Sequence, residues 1–100
     1  MLKQILELFK GVDYTSLMQN GAVIIDVRSP AEFKQGNIKG SSNVPLGDVK
    51  SKVEKIKALD TPIILCCASG MRSGQATSML KSYGVEAYNG GGWFSLNRKI

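Results

Sequence analysis

Three observations predict an α/β domain built on a mostly parallel sheet. The run Ala22–Val27 is continuously apolar and rich in β-branched residues, which suits a strand covered on both faces. Stretches of helical period alternate with such runs along the chain, the pattern of strand–helix–strand units. The run Ile63–Cys66 passes straight into small residues and then a helix start, so the carboxyl end of a strand carries a tight loop. Ligands of parallel sheets bind at that end.

Each element has its own local cause. Leu2, Ile5, Leu6 and Phe9 recur at helical spacing, so residues 1–11 read as a short amphipathic helix or ordered lead-in. Gln4 and Glu7 interrupt that apolar stretch and no small-residue cleavage site follows, which argues against a signal peptide. Val12–Gly21 reads as a short helix with Asp13 as N-cap and Asn20-Gly21 as its stop. After the first strand, Ser29, Pro30 and Glu32 form a capping-box arrangement at the start of a helical turn. Gly36 and Gly40 bracket a turn, Ser41–Val44 holds only a short strand, and Pro45 ends it. A helix is expected over Asp48–Leu59, with Val49, Val53, Ile56 and Leu59 as its apolar stripe. Thr61-Pro62 breaks that helix before the strand Ile63–Cys66. The helix after the loop, about Ser73–Tyr83, buries Ala76, Met79, Leu80 and Tyr83, and Gly84 ends it. Val85–Tyr88 is a last short strand, and Asn89–Trp93 a flexible turn before a final helical stretch.

Composition narrows the function classes. One hundred residues, 43% of them apolar, suit one domain spanning 1–100 with a real core. No apolar run approaches the ~20 residues that span a bilayer. The chain has no histidine, which excludes a Ser-His-Asp triad, a Cys-His dyad and histidine-bearing zinc sites. Its two cysteines are adjacent, too strained a pair to form a disulfide framework and too few for a four-thiolate metal site. No metal and no cofactor are expected, and free thiols suit a reducing, cytoplasmic setting. The net charge of +5 is concentrated at Lys50, Lys52, Lys55 and Lys57, with Glu54 among them. This reads as a solvated helix face, with a docking surface for an acidic partner as the alternative. The patch has no interleaved aromatics, so nucleic acid is not expected as a partner, nor is a membrane; a monomer is expected.

The chemistry concentrates in Cys67-Ala68-Ser69-Gly70-Met71-Arg72-Ser73. Gly70 allows the backbone to turn inward so that several N–H groups converge on one point, while Ala68 and Ser69 leave the centre open. A helix N-terminus and the Arg72 guanidinium add to a setting that favours the anionic form of a thiol, and of whatever becomes bound to it. Counted alone, Cys67 could also be an inert buried thiol. Cys66 ends an apolar strand and reads as packing, with a resolving thiol as the alternative. Asp26 and Arg28 read as a pair or cap at the end of their strand, with ordering of the loop as a second role. Glu32 reads as a capping and salt-bridge residue, and Trp93 as a packed anchor. The glycines at 90–92 lack the Lys-Ser/Thr that a phosphate site would need.

The loop resembles the active-site loop of rhodanese-type sulfurtransferases, with cysteine and arginine separated by four residues and glycine two before the arginine. Asp26-Val27-Arg28, Glu32-Phe33, Gly36–Gly40 and Asn43-Val44-Pro45 resemble the family's first signature in order and spacing. Leu80, Gly84, Asn89-Gly90-Gly91 and Trp93 resemble its closing segment. The resemblance runs from Val23 to Trp93. It implies a rhodanese-like, five-stranded, mostly parallel sheet with helices on both faces. It also implies that Cys67 takes sulfane sulfur from a small anionic donor such as thiosulfate, or from a persulfide. Cys67 would then pass it to a thiol, cyanide or a protein acceptor. Residues 68–73 would bind and stabilise the anion, and Asp26 and Arg28 would support them. Two positions depart from the family pattern. Asn37 stands where histidine is frequent, within the structural signature. Ala68 stands where thiosulfate-using members often carry a cation, which favours a persulfide or protein donor and slow turnover with thiosulfate. Two rivals remain at this level: a rhodanese-fold binding module without chemistry, and a cysteine phosphatase or arsenate reductase. The second arises because five residues separate Cys66 from Arg72, the spacing of a phosphatase loop.

Overall fold

The computed structural model describes residues 11–100, and the helix or lead-in expected before them lies outside the described residues. Helix α1 (Tyr14–Gln19) starts at Asp13, whose carboxylate accepts the Ser16 N–H at 3.1 Å. Strand β1 (Val23–Asp26) pairs in parallel with β2 (Ser42–Asn43) on one side and β3 (Ile63–Cys67) on the other. Strand β4 (Ala87–Gly92) joins β3, also in parallel, and the sheet order is β2-β1-β3-β4. The two most continuously apolar runs thus occupy the centre, and Ile63, Ile64 and Leu65 have no exposed surface.

Four strands stand among the described residues, where the family resemblance implies five. The other described segments are helices, tight turns and polar connections, so nothing there offers the sheet a fifth strand.

Alternation along the strands divides the core in two. Ile25, Val27, Ile63, Leu65 and Cys67 face Val49, Val53, Ile56, Ala76 and Leu80. These partners lie on or beside α3 (Val53–Ala58) and α4 (Met71–Ser82). Ile24, Ile64 and Cys66 face Leu17, Ile38, Trp93 and Leu96, the last two on α5 (Trp93–Asn97). Helices therefore cover both faces, as expected. None of the described helices is long and apolar enough to cross a membrane.

Besides Tyr83, which is exposed at the end of α4 rather than buried, two expectations need correction. The lysine-bearing helix is not continuous from Asp48. Leu46–Asp48 and Lys50–Lys52 are 3-10 turns, and α-helix begins only at Val53. No side chain caps its start, and Lys50 and Lys52 stand just before it, near the end where the helix dipole is positive, which disfavours an earlier α-helical turn. Val49 and Val53 are buried as the stripe predicts, but Leu59 is exposed. The second correction is β4, which runs on through Gly92 rather than stopping at Tyr88. Its register against β3 slips between Leu65 and Cys66, so that Leu65 meets Asn89 and Cys66 meets Gly91. This bulge bends the strand end towards the loop that follows β3.

Candidate active site

Cys67 is the last residue of β3, and the chain then folds back over its sulfur. Gly70 adopts φ of 102°, a left-handed conformation that only glycine holds without strain, and α4 starts at the next residue. The turn aims N–H groups inward. Cys67 Sγ accepts the Gly70 N–H at 3.0 Å and the Ser73 N–H at 3.4 Å, and Ser73 Oγ lies 3.3 Å away. Cys67 has no exposed surface, while Ala68 and Ser69, which follow it, are exposed. Burial opposes ionisation of this thiol. The Ser73 hydroxyl and the N–H groups of Ser73, Gly70 and Ser69 outweigh it and hold the thiol below its ordinary pKa.

Cys66 is the opposite case. Its side chain points to the other face of the sheet, among Ile24, Ile64 and Leu96. Burial, with the Asp26 carboxylate beside it, pushes this thiol up to about 12. Both cysteines are free. The phosphatase-like spacing counted from Cys66 therefore has no geometric counterpart, because that sulfur is turned away from the loop.

Arg72 projects from the first turn of α4 and grips Glu32 with both arms, at 2.7 and 3.0 Å. Glu32 belongs in turn to the capping box of α2 (Pro30–Gln35). Its Oε1 accepts the Ser29 N–H at 3.1 Å, and Ser29 Oγ accepts the Glu32 N–H at 3.2 Å. The Arg72 guanidinium, helped by the Ser29 cap, lowers the Glu32 carboxyl to about 2. Arg72 thus ties the cysteine loop to the α2 start, and its fork is engaged there rather than turned to Cys67.

Asp26 and Arg28 form a buried pair. Arg28 Nη2 donates to Asp26 Oδ2 at 2.7 Å and to the Gly36 carbonyl at 2.7 Å, and Nε reaches both carboxylate oxygens. The guanidinium also lies 4.7 Å from the centre of the Trp93 ring. Together these groups fasten the ends of β1, α2 and α5 on the Cys66 side of the sheet. Trp93 is the packed anchor its sequence context predicts: a methyl group placed on Gly36 would approach its ring to 3.0 Å.

Two participants lie outside the residues assigned to the cysteine site from the sequence. Asn89 Oδ1 accepts from Ser73 Oγ at 2.7 Å and from the Gly91 N–H at 3.0 Å, while Nδ2 donates to the Gly70 carbonyl at 3.1 Å. Gly92 brings β4 so close to the loop that a Cβ there would sit 2.9 Å from the Ala68 carbonyl oxygen. The available signal was the polar residue heading a run of three glycines, a combination ill suited to an ordinary strand interior.

Comparison with known proteins agrees with this arrangement. The family described as Rhodanese-like domain matches residues 12–98. An uncharacterised Bacillus subtilis protein is 42% identical over 73% of this chain, which spans 58% of that relative's length. Thiosulfate sulfurtransferase GlpE of Ectopseudomonas mendocina is 35% identical over 82% of this chain and 75% of its own. Among solved structures, a rhodanese-related protein from Thermoplasma volcanium superposes with a TM-score of 0.74 at 26% identity, covering 91% of this chain and 93% of that one. With strand, loop and helix start disposed around one cysteine as described, the chain belongs to the rhodanese-like domain family.

Proposed function

We propose that this protein is a sulfurtransferase that carries sulfane sulfur on Cys67. The observation that carries the reading is the convergence of two backbone N–H groups and one hydroxyl on a single sulfur at the end of a central strand. Such a setting lets a thiolate exist without a neighbouring base. It also offers donors to the terminal, anionic sulfur of a persulfide, as an oxyanion hole does to oxygen.

The reaction has two displacements. The Cys67 thiolate attacks the sulfane sulfur of the donor, a new S–S bond forms, and the donor's own bond to that sulfur breaks. The leaving group departs with the electron pair; from thiosulfate it is sulfite. An acceptor thiolate or cyanide then attacks the terminal sulfur, and Cys67 leaves as thiolate. The donor is a small anionic sulfur compound or a persulfide, and the acceptor a thiol, cyanide or a protein. Ala68 supplies no cation for thiosulfate, so turnover with thiosulfate and cyanide is slow and a persulfide or protein donor is preferred. Free thiols at 66 and 67 support a cytoplasmic setting, and the chain acts as a monomer.

Intact-mass measurement after incubation with thiosulfate or a low-molecular-weight persulfide tests this. The expected result is a gain of one sulfur atom by the unaltered chain and none by Cys67→Ser. An unaltered chain that takes up no sulfur from any of several donors is a binding module on the rhodanese fold instead.

A further inference from the structure

The hydroxyl of Ser73 has one proton and two acceptors within reach. Asn89 Oδ1 lies 2.7 Å from Ser73 Oγ, and Cys67 Sγ lies 3.3 Å from it. The amide orientation follows from its partners. Oδ1 faces the Gly91 N–H and Nδ2 faces the Gly70 carbonyl, so a flipped amide would set donor against donor and acceptor against acceptor. Its place is secured once more, since Tyr14 Oη donates to the Asn89 backbone carbonyl at 2.9 Å, and Gly74 leaves room for Nδ2, which a Cβ there would meet at 3.2 Å. Asn89 therefore holds two of the residues whose N–H groups reach the sulfur, Gly70 through its carbonyl and Ser73 through its hydroxyl.

We propose that Asn89 is a positioning residue that competes with Cys67 for the Ser73 hydroxyl proton and so sets which form of the cysteine the loop supports. With Cys67 as a thiol, S–H donates to Ser73 Oγ and the hydroxyl donates to Asn89, which leaves every group satisfied. On ionisation the thiol proton leaves to solvent and the hydroxyl turns its own proton to the sulfur. Asn89 Oδ1 then keeps only the Gly91 N–H. The anion thus gains one donor at the cost of one short hydrogen bond elsewhere. The charged groups around the cysteine form two closed pairs, Arg72 with Glu32 and Asp26 with Arg28, and the neighbouring Cys66 thiol is neutral. The hydroxyl proton is accordingly the adjustable element nearest the sulfur.

This inference rests on Cys67 as the sulfur-carrying residue, but its test does not require sulfur transfer. Thiolate ultraviolet absorbance is titrated against pH in a Cys66→Ser background, with Cys67→Ser as the blank. Asn89→Ala and Asn89→Asp are each introduced with Ser73 intact and with Ser73→Ala, and folding is checked by circular dichroism. Any slackening of the loop shifts the titration similarly in both backgrounds, so the difference between backgrounds isolates the shared proton. The expected result is that Asn89→Ala moves the Cys67 midpoint lower with Ser73 present than with Ser73→Ala, by roughly half a pH unit or more. Asn89→Asp, a stronger acceptor, moves it in the opposite sense, again more strongly with Ser73 present. Equal shifts in the two backgrounds for both variants overturn the proposal. Failure of the sulfurtransferase reading shows itself separately, as absence of a sulfur adduct on the unaltered chain.

Discussion

Cys66 and Cys67 are neighbours in sequence and opposites in chemistry. Cys66 faces the side of the sheet closed by α1 and α5, where apolar side chains and the Asp26 carboxylate push its thiol up to about 12. Cys67 faces the other side, and there the loop and the α4 start hold the thiol below its ordinary value. Neither is exposed, so burial alone does not distinguish them. The difference lies in what accompanies burial: N–H and O–H donors favour the thiolate, whereas hydrocarbon and a carboxylate favour the neutral thiol.

The largest expected break in this comparison comes from exchanging one sulfur for oxygen. Cys67→Ser removes all sulfur uptake measured by intact mass, whereas Cys66→Ser retains it. The reverse pattern would assign the chemistry to the wrong face. Next in size is crowding of the loop from β4. In Gly92→Ala the new methyl meets the Ala68 carbonyl oxygen at 2.9 Å, a backbone atom that cannot swing aside. Urea unfolding is expected to show a loss of about 1–3 kcal/mol together with slower sulfur loading. Gly47→Ala, with nothing within 4 Å of the added carbon, leaves both measurements unchanged.

A smaller effect follows from Arg72. Arg72→Ala keeps Cys67 and its N–H donors but frees the loop from Glu32, and sulfur loading slows several-fold. The same pair leaves a signature in acid. The Glu32 carboxyl titrates at about 2 in the fold, against 4.5 for the free group. A depressed carboxyl adds stability that is complete above the unfolded value and fades as pH falls from 4.5 towards about 2. Unfolding curves for the unaltered chain therefore weaken across that interval, and those for Arg72→Ala weaken less. The mildest test is the pH profile of loading. It rises with the Cys67 thiolate and levels off at a lower pH than a free thiol of pKa ~8.5 allows.

Much of this was legible because it is local. β1 announces itself by a β-branched run, the Ser29 and Glu32 capping box by spacing, and the cysteine loop by small residues and glycine before a helix. The family resemblance, spread over several ordered motifs, supplied the topology. What escaped was contact between distant segments. Nothing near Arg72 shows that its fork closes on Glu32, forty positions away. Nothing near Asn89 shows that its amide reaches Gly70 and Ser73 across a strand pair. The bulged end of β4 reads in sequence as a flexible turn because three glycines look like freedom, whereas in the fold they allow two backbones to approach. The lysine-rich segment misled in another way, since its apolar period holds at Val49, Val53 and Ile56 but Lys50 and Lys52 stand at the wrong end of a helix that no side chain caps.

The outward divergence of the two sulfurs from β3 also decides how this protein meets oxidants. Peroxide acting on Cys67 would give a sulfenic acid, which a second cysteine ordinarily rescues by condensing into a disulfide. The chain's only other cysteine lies behind the sheet, so no such rescue is available within the molecule. Recovery depends on a thiol arriving from outside; without one, a second equivalent of peroxide oxidises the sulfenic acid irreversibly to the sulfinic acid.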